Sequence, residues 1–390
     1  MDKNQPISIM IHDLNPWGGQ DRSMLEIAWQ LNKEFPLEIH SFTLEGYDNW
    51  PNMKHIKYEA NLQKPIILKY LNYHFKSWKN LSDTPHRMVQ STGTASLKSN
   101  IVQVQFIHHS WQKIAKTLPA DKFKNSGLAK SIYHKLLDKY KLLIEKKVYT
   151  PNKKYIAISH TIKKELMEHF QIPEKNISII HHGVDLKHFT PAHDKPANLE
   201  TRNSVRESLN ISPEDIVLLH VGALNARKGL LKSLEVLSYL KKEGFQNIKY
   251  LAVGQGDQKL LQKLIRDHDL EDVVIIAPHS KDIRNYYWAS DIFFFPTYYE
   301  PFGLVVLEAM ACGLPIATGN TAGSAELIID KQNGVLFSPF SQAQDIAQSL
   351  NTLLKNKSYR DQLGKAARET SLEHSWETVG AKYNDFYSNC

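Results

Sequence analysis

Cysteine is nearly absent from this chain of 390 residues, which carries only Cys312 and Cys390. Two thiols make no disulfide framework, and the reading fits a reducing, cytoplasmic setting. Long apolar runs are missing as well: none approaches the roughly 18 residues that a membrane span needs. The opening MDKNQPISIMIHDL shows no secretory pattern with a small-residue cleavage site. A formal net charge of +7 is modest for this length and calls for no nucleic-acid partner. The motifs hold no metal-ligand cluster, so neither a catalytic metal nor a bound cofactor is expected. A complete dinucleotide fingerprint is lacking too: Gly254-Gln255-Gly256 follows an apolar run, but Lys259 stands where a third glycine belongs.

What is present is concentrated between Asp291 and Ile328. Ile292-Phe293-Phe294-Phe295, ended by Pro296, reads as a buried parallel strand. Pro301-Phe302-Gly303 then leads into Leu304-Val305-Val306-Leu307, Ala309 and Met310, apolar nearly all round and so a buried helix with Pro301 near its first turn. Gly313 is placed to stop it, and Pro315-Ile316-Ala317-Thr318 reads as the next strand. The exception is Glu308, because a carboxylate is rarely buried without a partner. Glu300 lies just outside the same helix, at the carboxyl end of the preceding strand, where open α/β sheets bind ligands and a helix N-terminus attracts anions. From Gly303 to Glu308 the helix rises about 7–8 Å. The two carboxylates therefore suit a ligand with hydroxyls on either side of a diphosphate, the shape of a nucleotide sugar.

Glu300 and Glu308, with Ala309-Met310-Ala311-Cys312-Gly313-Leu314-Pro315 after them, resemble the signature of the glycosyltransferase family 4 enzymes. The resemblance implies a retaining transferase of the GT-B fold, α/β, with two Rossmann-like doubly wound parallel sheets and a cleft between them. It implies Glu308 on the donor ribose, Glu300 on the transferred sugar, and backbone N–H groups near Phe302, Gly303 and Leu304 on the donor.

The rest of the chain extends the likeness. Ile7, Ile9 and Ile11 read as a first strand, and Gly18-Gly19 as a tight turn that lets backbone approach the donor or acceptor, as a glycine pair does in the family. The tract from Leu44 to about Pro85 reads as irregular, with Tyr70, Tyr73, Phe75 and Trp78 as candidates to line an acceptor cleft. A strand over 101–107 precedes His108 and His109; the resemblance implies a histidine here beside the transferred sugar, with His108 favoured by position. Residues 120–154 carry ten lysines on a stretch where Leu128, Ile132, Leu136, Tyr140 and Leu143 recur at helical spacing. That is a basic amphipathic helix, either a solvated face or a contact for an anionic membrane or phosphorylated acceptor.

Ser159 should cap a helix over 161–170. His181-His182-Gly183-Val184-Asp185, closing at Phe189-Thr190-Pro191, resembles the family's Asn-Gly-Val-Asp…Phe-Pro segment with His182 in place of asparagine. The polar stretch 191–203 reads as linker. Val217 to Gly222 opens a second domain. There Ala223 replaces the family's arginine, and Arg227-Lys228-Gly229 resembles the loop of lipopolysaccharide core glucosyltransferases, which implies that the pair holds the diphosphate. His279-Ser280 borders the expected nucleobase site, and Glu326 resembles the family's Pro-Glu-x-Ile glutamate.

The expected plan is an acceptor domain over 1–190, a linker over 191–213, a nucleotide-sugar domain over 214–372 and a closing helix over 373–390 that returns to the first domain. The implied activity moves a hexose or N-acetylhexosamine, from a UDP-sugar for preference, to an envelope glycan or lipid-linked acceptor. The enzyme would be cytoplasmic, or peripheral on the inner membrane face. A non-catalytic glycan-binding protein on the same scaffold, a nucleotide-sugar epimerase and, more remotely, a nicotinamide oxidoreductase are the alternatives.

Overall fold

The structure, a computed structural model, describes residues 5–16, 18–46, 50–59, 65–83, 88–118, 128–277, 280 and 282–390. It divides into two compact units: Met1–Lys113, Ser126–Gly183 and Trp376–Cys390 form the first, and Ile114–Asn125 with Val184–Ser375 the second.

The first unit is built on a seven-stranded parallel sheet. Its strands are β1 (Ile7–Met10), β2 (Leu37–Ser41), β3 (Met53–Lys57), β4 (Met88–Thr92), β5 (Ile101–Val104), β6 (Lys154–Ala157) and β7 (Ile177–Ile179), in the order β3-β2-β1-β4-β5-β6-β7. Ile7 pairs with Leu37 on one side and Met88 on the other, so β1 is the central strand. Every residue of β1 is buried, as expected of a parallel strand covered on both faces. The connecting helices are α1 (Gly19–Asn32), α2 (Ile66–Asp83), α3 (His108–Ala115), α4 (Leu128–Val148) and α5 (His160–Phe170). Ser159 caps α5 as its type suggests, its hydroxyl accepting from the Ile162 N–H.

Several expectations fail here. The tract read as irregular holds β3 and α2. Tyr73 is fully buried in the core, its hydroxyl donating to the His40 carbonyl at 2.6 Å, whereas Tyr70 is half-buried and stacks on His12, and Phe75 and Trp78 are exposed. Gly18 and Gly19 make no positive-φ turn: Gly18 is the extended N-cap of α1, and Gly19 is its first residue. The strand expected over 101–107 stops at Val104. In α4 the apolar stripe is rotated from the expected one, with Leu137, Ile144 and Val148 inside and Ile132, Leu136 and Leu143 outside. Lys153 is buried and donates to the Leu97 carbonyl at 3.3 Å, so it is not a surface cation. Residues 120–127 of the basic stretch lie outside the described residues.

The second unit carries six parallel strands: β8 (Ile216–Val221), β9 (Ile248–Val253), β10 (Val274–Ala277), β11 (Ile292–Phe295), β12 (Ile316–Gly319) and β13 (Gly334–Phe337), in the order β10-β9-β8-β11-β12-β13. The order reverses between β8 and β11, which places a ligand crevice at their carboxyl ends. Around the sheet lie α6 (Pro196–Ser208), α7 (Leu230–Lys242), α8 (Gln258–Asp267), α9 (Arg284–Ala289), α10 (Leu304–Ala311), α11 (Ala343–Lys355) and α12 (Lys357–Leu372). The stretch read as linker is largely α6, started by Pro196 in its first turn and tied down by Arg202 and Arg206 on Asp291 at 2.7 and 3.2 Å. The last helix, α13 (Trp376–Ser388), belongs to the first unit, where Gly380 lets it pack directly on Gln30 of α1.

Candidate functional site

The site begins with β11. Its four residues are buried, the chain turns at Pro296, and α10 opens eight residues later at Leu304 rather than at Pro301. Gly303 is the N-cap of α10 with φ +100°, a left-handed conformation that favours glycine, and it supplies no capping side chain. Within this first turn the Val306 N–H donates to the Gly303 carbonyl at 3.0 Å, and the N–H groups of Leu304 and Val305 before it have no carbonyl of their own helix to accept them. The loop before it is held from the far side: the Gly323 N–H donates to the Glu300 carbonyl and the Ser324 N–H to the Phe302 carbonyl, both at 2.8 Å.

The β8–α7 connection comes alongside. Gly229, at φ +79°, lies so close to Pro296 that an added Cβ would stand 1.8 Å from the Pro296 carbonyl oxygen. The Tyr298 N–H and Thr297 hydroxyl both donate to the Arg227 carbonyl, at 2.9 and 3.1 Å. These contacts aim Arg227 and Lys228 at Glu300. Arg227 Nη1 donates to Glu300 Oε2 at 3.2 Å and to the Tyr299 carbonyl at 2.8 Å, and Lys228 Nζ makes a short ion pair with the same Oε2.

The three side chains are between 12% and 24% exposed, so this is a nearly buried triad of one carboxylate and two cations. Burial alone would raise the Glu300 carboxyl, but Lys228 first and Arg227 second hold it below the ordinary carboxylate range. Burial lowers the Lys228 ammonium, which Glu300 opposes. Under Lys228 lies His220, fully buried and driven down to about 3 by desolvation and by that lysine.

Glu308 is 2% exposed on α10, and the Tyr287 hydroxyl of α9 donates to its Oε2 at 2.8 Å. Near it, Arg284 grips Asp282 through Nε at 2.8 Å and Nη2 at 2.5 Å, and its Nη1 reaches the His188 carbonyl at 3.4 Å. The structure thus brings Glu300, Arg227, Lys228, Phe302, Gly303 and Leu304 together at one helix end, with Glu308 about a turn further along. Tyr287, Arg284 and Asp282 went unread in the sequence, because no local spacing links them to α10. His279 lies outside the described residues, and the Ser280 hydroxyl is used in a turn with Asp282.

His108 and His109 belong to the first unit, together with Gly18 and Gly19. They are the first two residues of α3, not the end of a strand. His108 is buried, its Nε2 lying 3.1 Å from Asp138 and 3.2 Å from Gln112 Nε2. Burial and then Lys141 lower its pKa, with Asp138 opposing. His109 is half-buried and packs its ring on His169, centroids 4.6 Å apart.

Two family models match nearly the whole chain between them: Glycosyltransferase Family 4 over residues 17–188 and Glycosyl transferases group 1 over 201–370. The chain belongs to glycosyltransferase family 4. Its fold is GT-B, as in WaaG, a glycosyltransferase involved in lipopolysaccharide biosynthesis, which superposes with a TM-score of 0.78 at 18% identity over 97% of this chain and 99% of that one. HepE of Anabaena, solved in complex with UDP-glucose, gives a TM-score of 0.75 at 16% identity, covering 99% of this chain and all of that one. Among curated proteins, an uncharacterised glycosyltransferase of Methanocaldococcus jannaschii is 25% identical over 60% of this chain and 59% of its own length. The chain thus spans less than two thirds of that relative. Among the described residues, no helix is long and apolar enough to cross a membrane.

Proposed function

We propose that this glycosyltransferase moves a hexose or N-acetylhexosamine from a nucleotide sugar, a UDP-sugar for preference, to an envelope glycan or lipid-linked acceptor, with retention at the sugar carbon. The observation that carries the reading is the triad of Arg227, Lys228 and Glu300 beside the uncapped start of α10. Two cations and a helix N-terminus suit a diphosphate, and Glu300 is paired with both cations. Donor phosphates would take over Arg227 and Lys228, which releases Glu300 toward the hydroxyls of the transferred sugar. The main catalytic contribution is then electrostatic stabilisation of the departing diphosphate. Glu308, already oriented by Tyr287, would receive the ribose hydroxyls, and His108 or His109 would serve the transferred sugar, as the family resemblance implies. HepE's complex with UDP-glucose supports the choice of donor.

Glu308→Gln tests the ribose assignment directly. A charge-assisted hydrogen bond is worth about 1.5–3 kcal/mol, so UDP should bind roughly ten- to a hundredfold more weakly by calorimetry. Unchanged affinity in a folded variant removes Glu308 from the site. On the parent protein, UDP-glucose should raise the melting temperature where nicotinamide dinucleotide does not; the reverse result would overturn the transferase donor site.

The acceptor side of the proposal rests on α4. Ile132, Leu136 and Leu143 are 51%, 54% and 59% exposed, and Lys135, Lys139, Lys146 and Lys147 are exposed on the same helix. Leucines and lysines turned outward together suit an anionic lipid surface, with each lysine there contributing about 1 kcal/mol. The protein should sediment with vesicles containing phosphatidylglycerol, and release at high salt. Replacing those four lysines by glutamine should abolish the sedimentation while UDP-glucose hydrolysis continues. Failure of the parent to bind at low salt makes α4 a solvated face.

A further inference from the structure

A carboxylate occupies the start of α3. Glu145 of α4 is 3% exposed, and its two oxygens accept the backbone N–H groups of His108 and His109, Oε2 from His109 at 3.0 Å and Oε1 from His108 in a shorter bond. The two amides that open α3 and bond to Glu145 thus belong to the very residues that carry the imidazoles. A carboxylate at a helix N-terminus is favourable, yet here it is supplied across 36 residues of chain by a side chain with almost no access to water. Asp138 sits two turns earlier on the same helix and meets the His108 ring at 3.1 Å. One helix therefore grips both the backbone and the ring of His108.

We propose that Glu145 is a positioning residue for the transfer reaction, fixing the first turn of α3 and hence the direction in which His108 and His109 project. The proposal rests on the reading above that one of these histidines serves the transferred sugar. Removing the acceptor would take its bond from both N–H groups and free the turn to shift, and displacement of a reacting group by an ångström is enough to slow a reaction markedly.

The surroundings give the device a pH dependence. Burial pushes the Glu145 carboxyl up to about 7, against the pull of the two N–H groups. Glu165 of α5 raises it further, and Lys141 of its own helix lowers it; the Tyr149 hydroxyl one turn on is itself raised by burial and by Glu145. The sign follows from a folded value above the ordinary 4.5. The stability this group contributes is complete below about 4.5 and is lost as pH rises through about 7. The same rise gives the ionised form, which accepts both N–H groups more strongly. Positioning improves as stability declines.

The experiment uses the full chain with UDP-glucose as probe, measuring hydrolysis between pH 5.5 and 8.5 alongside spectra of protein labelled with nitrogen-15 only in histidine. The amides of His108 and His109, assigned through His108→Gln and His109→Gln, should titrate together near pH 7 in the parent and stay fixed in Glu145→Gln. That variant should lose about 10- to 100-fold in kcat with little change in KM, and its rate should lack the limb near pH 7. Amides that do not move in the parent overturn the proposal even if the variant fails to fold. A damaged His108→Ala and His109→Ala beside an undisturbed Glu145→Gln overturns the positioning role alone. If both histidine variants hydrolyse like the parent, the reading of His108 and His109 falls first and the proposal with it.

Discussion

Lys228→Ala should reduce kcat/KM for UDP-glucose by about a hundredfold or more, the scale for removing one preorganised stabiliser of departing charge. Two effects combine. The variant loses the cation nearest Glu300, and it leaves a carboxylate that is only 13% exposed with Arg227 as its remaining charged partner. Breaking a buried pair costs about 3–5 kcal/mol when the survivor is stranded. Here Arg227 at 3.2 Å and its anchor on the Tyr299 carbonyl limit the damage to the lower end. Because burial would raise the Glu300 carboxyl once Lys228 is gone, the variant should also melt at a higher temperature in mild acid than at neutral pH.

The double variant Lys228→Ala/Glu300→Gln separates the two effects. Neutralising the stranded carboxylate should restore most of the stability and none of the lost affinity for UDP. Recovery of UDP affinity together with stability would mean that Lys228 serves the fold and not the diphosphate. Arg227→Ala should weaken UDP binding in the same direction, and the loss should shrink as salt is raised.

Gly254→Ala should cost about 3 kcal/mol or more, enough to destroy much of the second unit's stability. Gly254 directly follows β9 at φ +152°, and an added Cβ would lie 1.8 Å from the Gly222 carbonyl oxygen and 2.7 Å from its carbon. Both obstacles are backbone at the carboxyl ends of adjacent strands, so neither can swing aside as a side chain would. Gly244→Ala is the control. Gly244 also has positive φ, +90°, but nothing stands within 4 Å of the new atom, so only the left-handed conformation is penalised, by about 1–2 kcal/mol. Thermal melting of both variants checks this, and equal losses would show that the close approach of β8 and β9 carries no special cost.

Much of the second unit was legible because its signals are local. Ile292 to Phe295 is a continuous apolar run, and Leu304 to Ala311 is a helix with a single acid in it; each names its own environment. Glu308 stood out for that reason. The partnership of Glu300 with Arg227 and Lys228 was not legible, since 72 or 73 residues separate the partners and only the adjacency of β8 and β11 joins them. Alpha-helix α4 shows the reverse difficulty. Apolar residues lie on both of its faces, so periodicity fits two stripes, and burial of Leu137, Ile144 and Val148 rather than Ile132, Leu136 and Leu143 is decided by tertiary packing and not by the local pattern. In α6 the polar composition hid a helix whose start is marked by Pro196. The grip of Glu145 on α3 depends on a contact 36 and 37 residues away and has no local signature.

The position of α13 bears on how the protein is made. Gly380 meets Gln30, the Tyr387 hydroxyl reaches Gln90, and the Tyr387 ring packs 6.3 Å from Phe35, so α13 completes a layer begun by residues made roughly 300 positions earlier. While residues 184–375 are being synthesised, the outer faces of α1 and β4 wait uncovered. The first unit is thus completed only after residues 184–375 have been made, and during that interval its apolar flank is a target for chaperones rather than for its own partner helix.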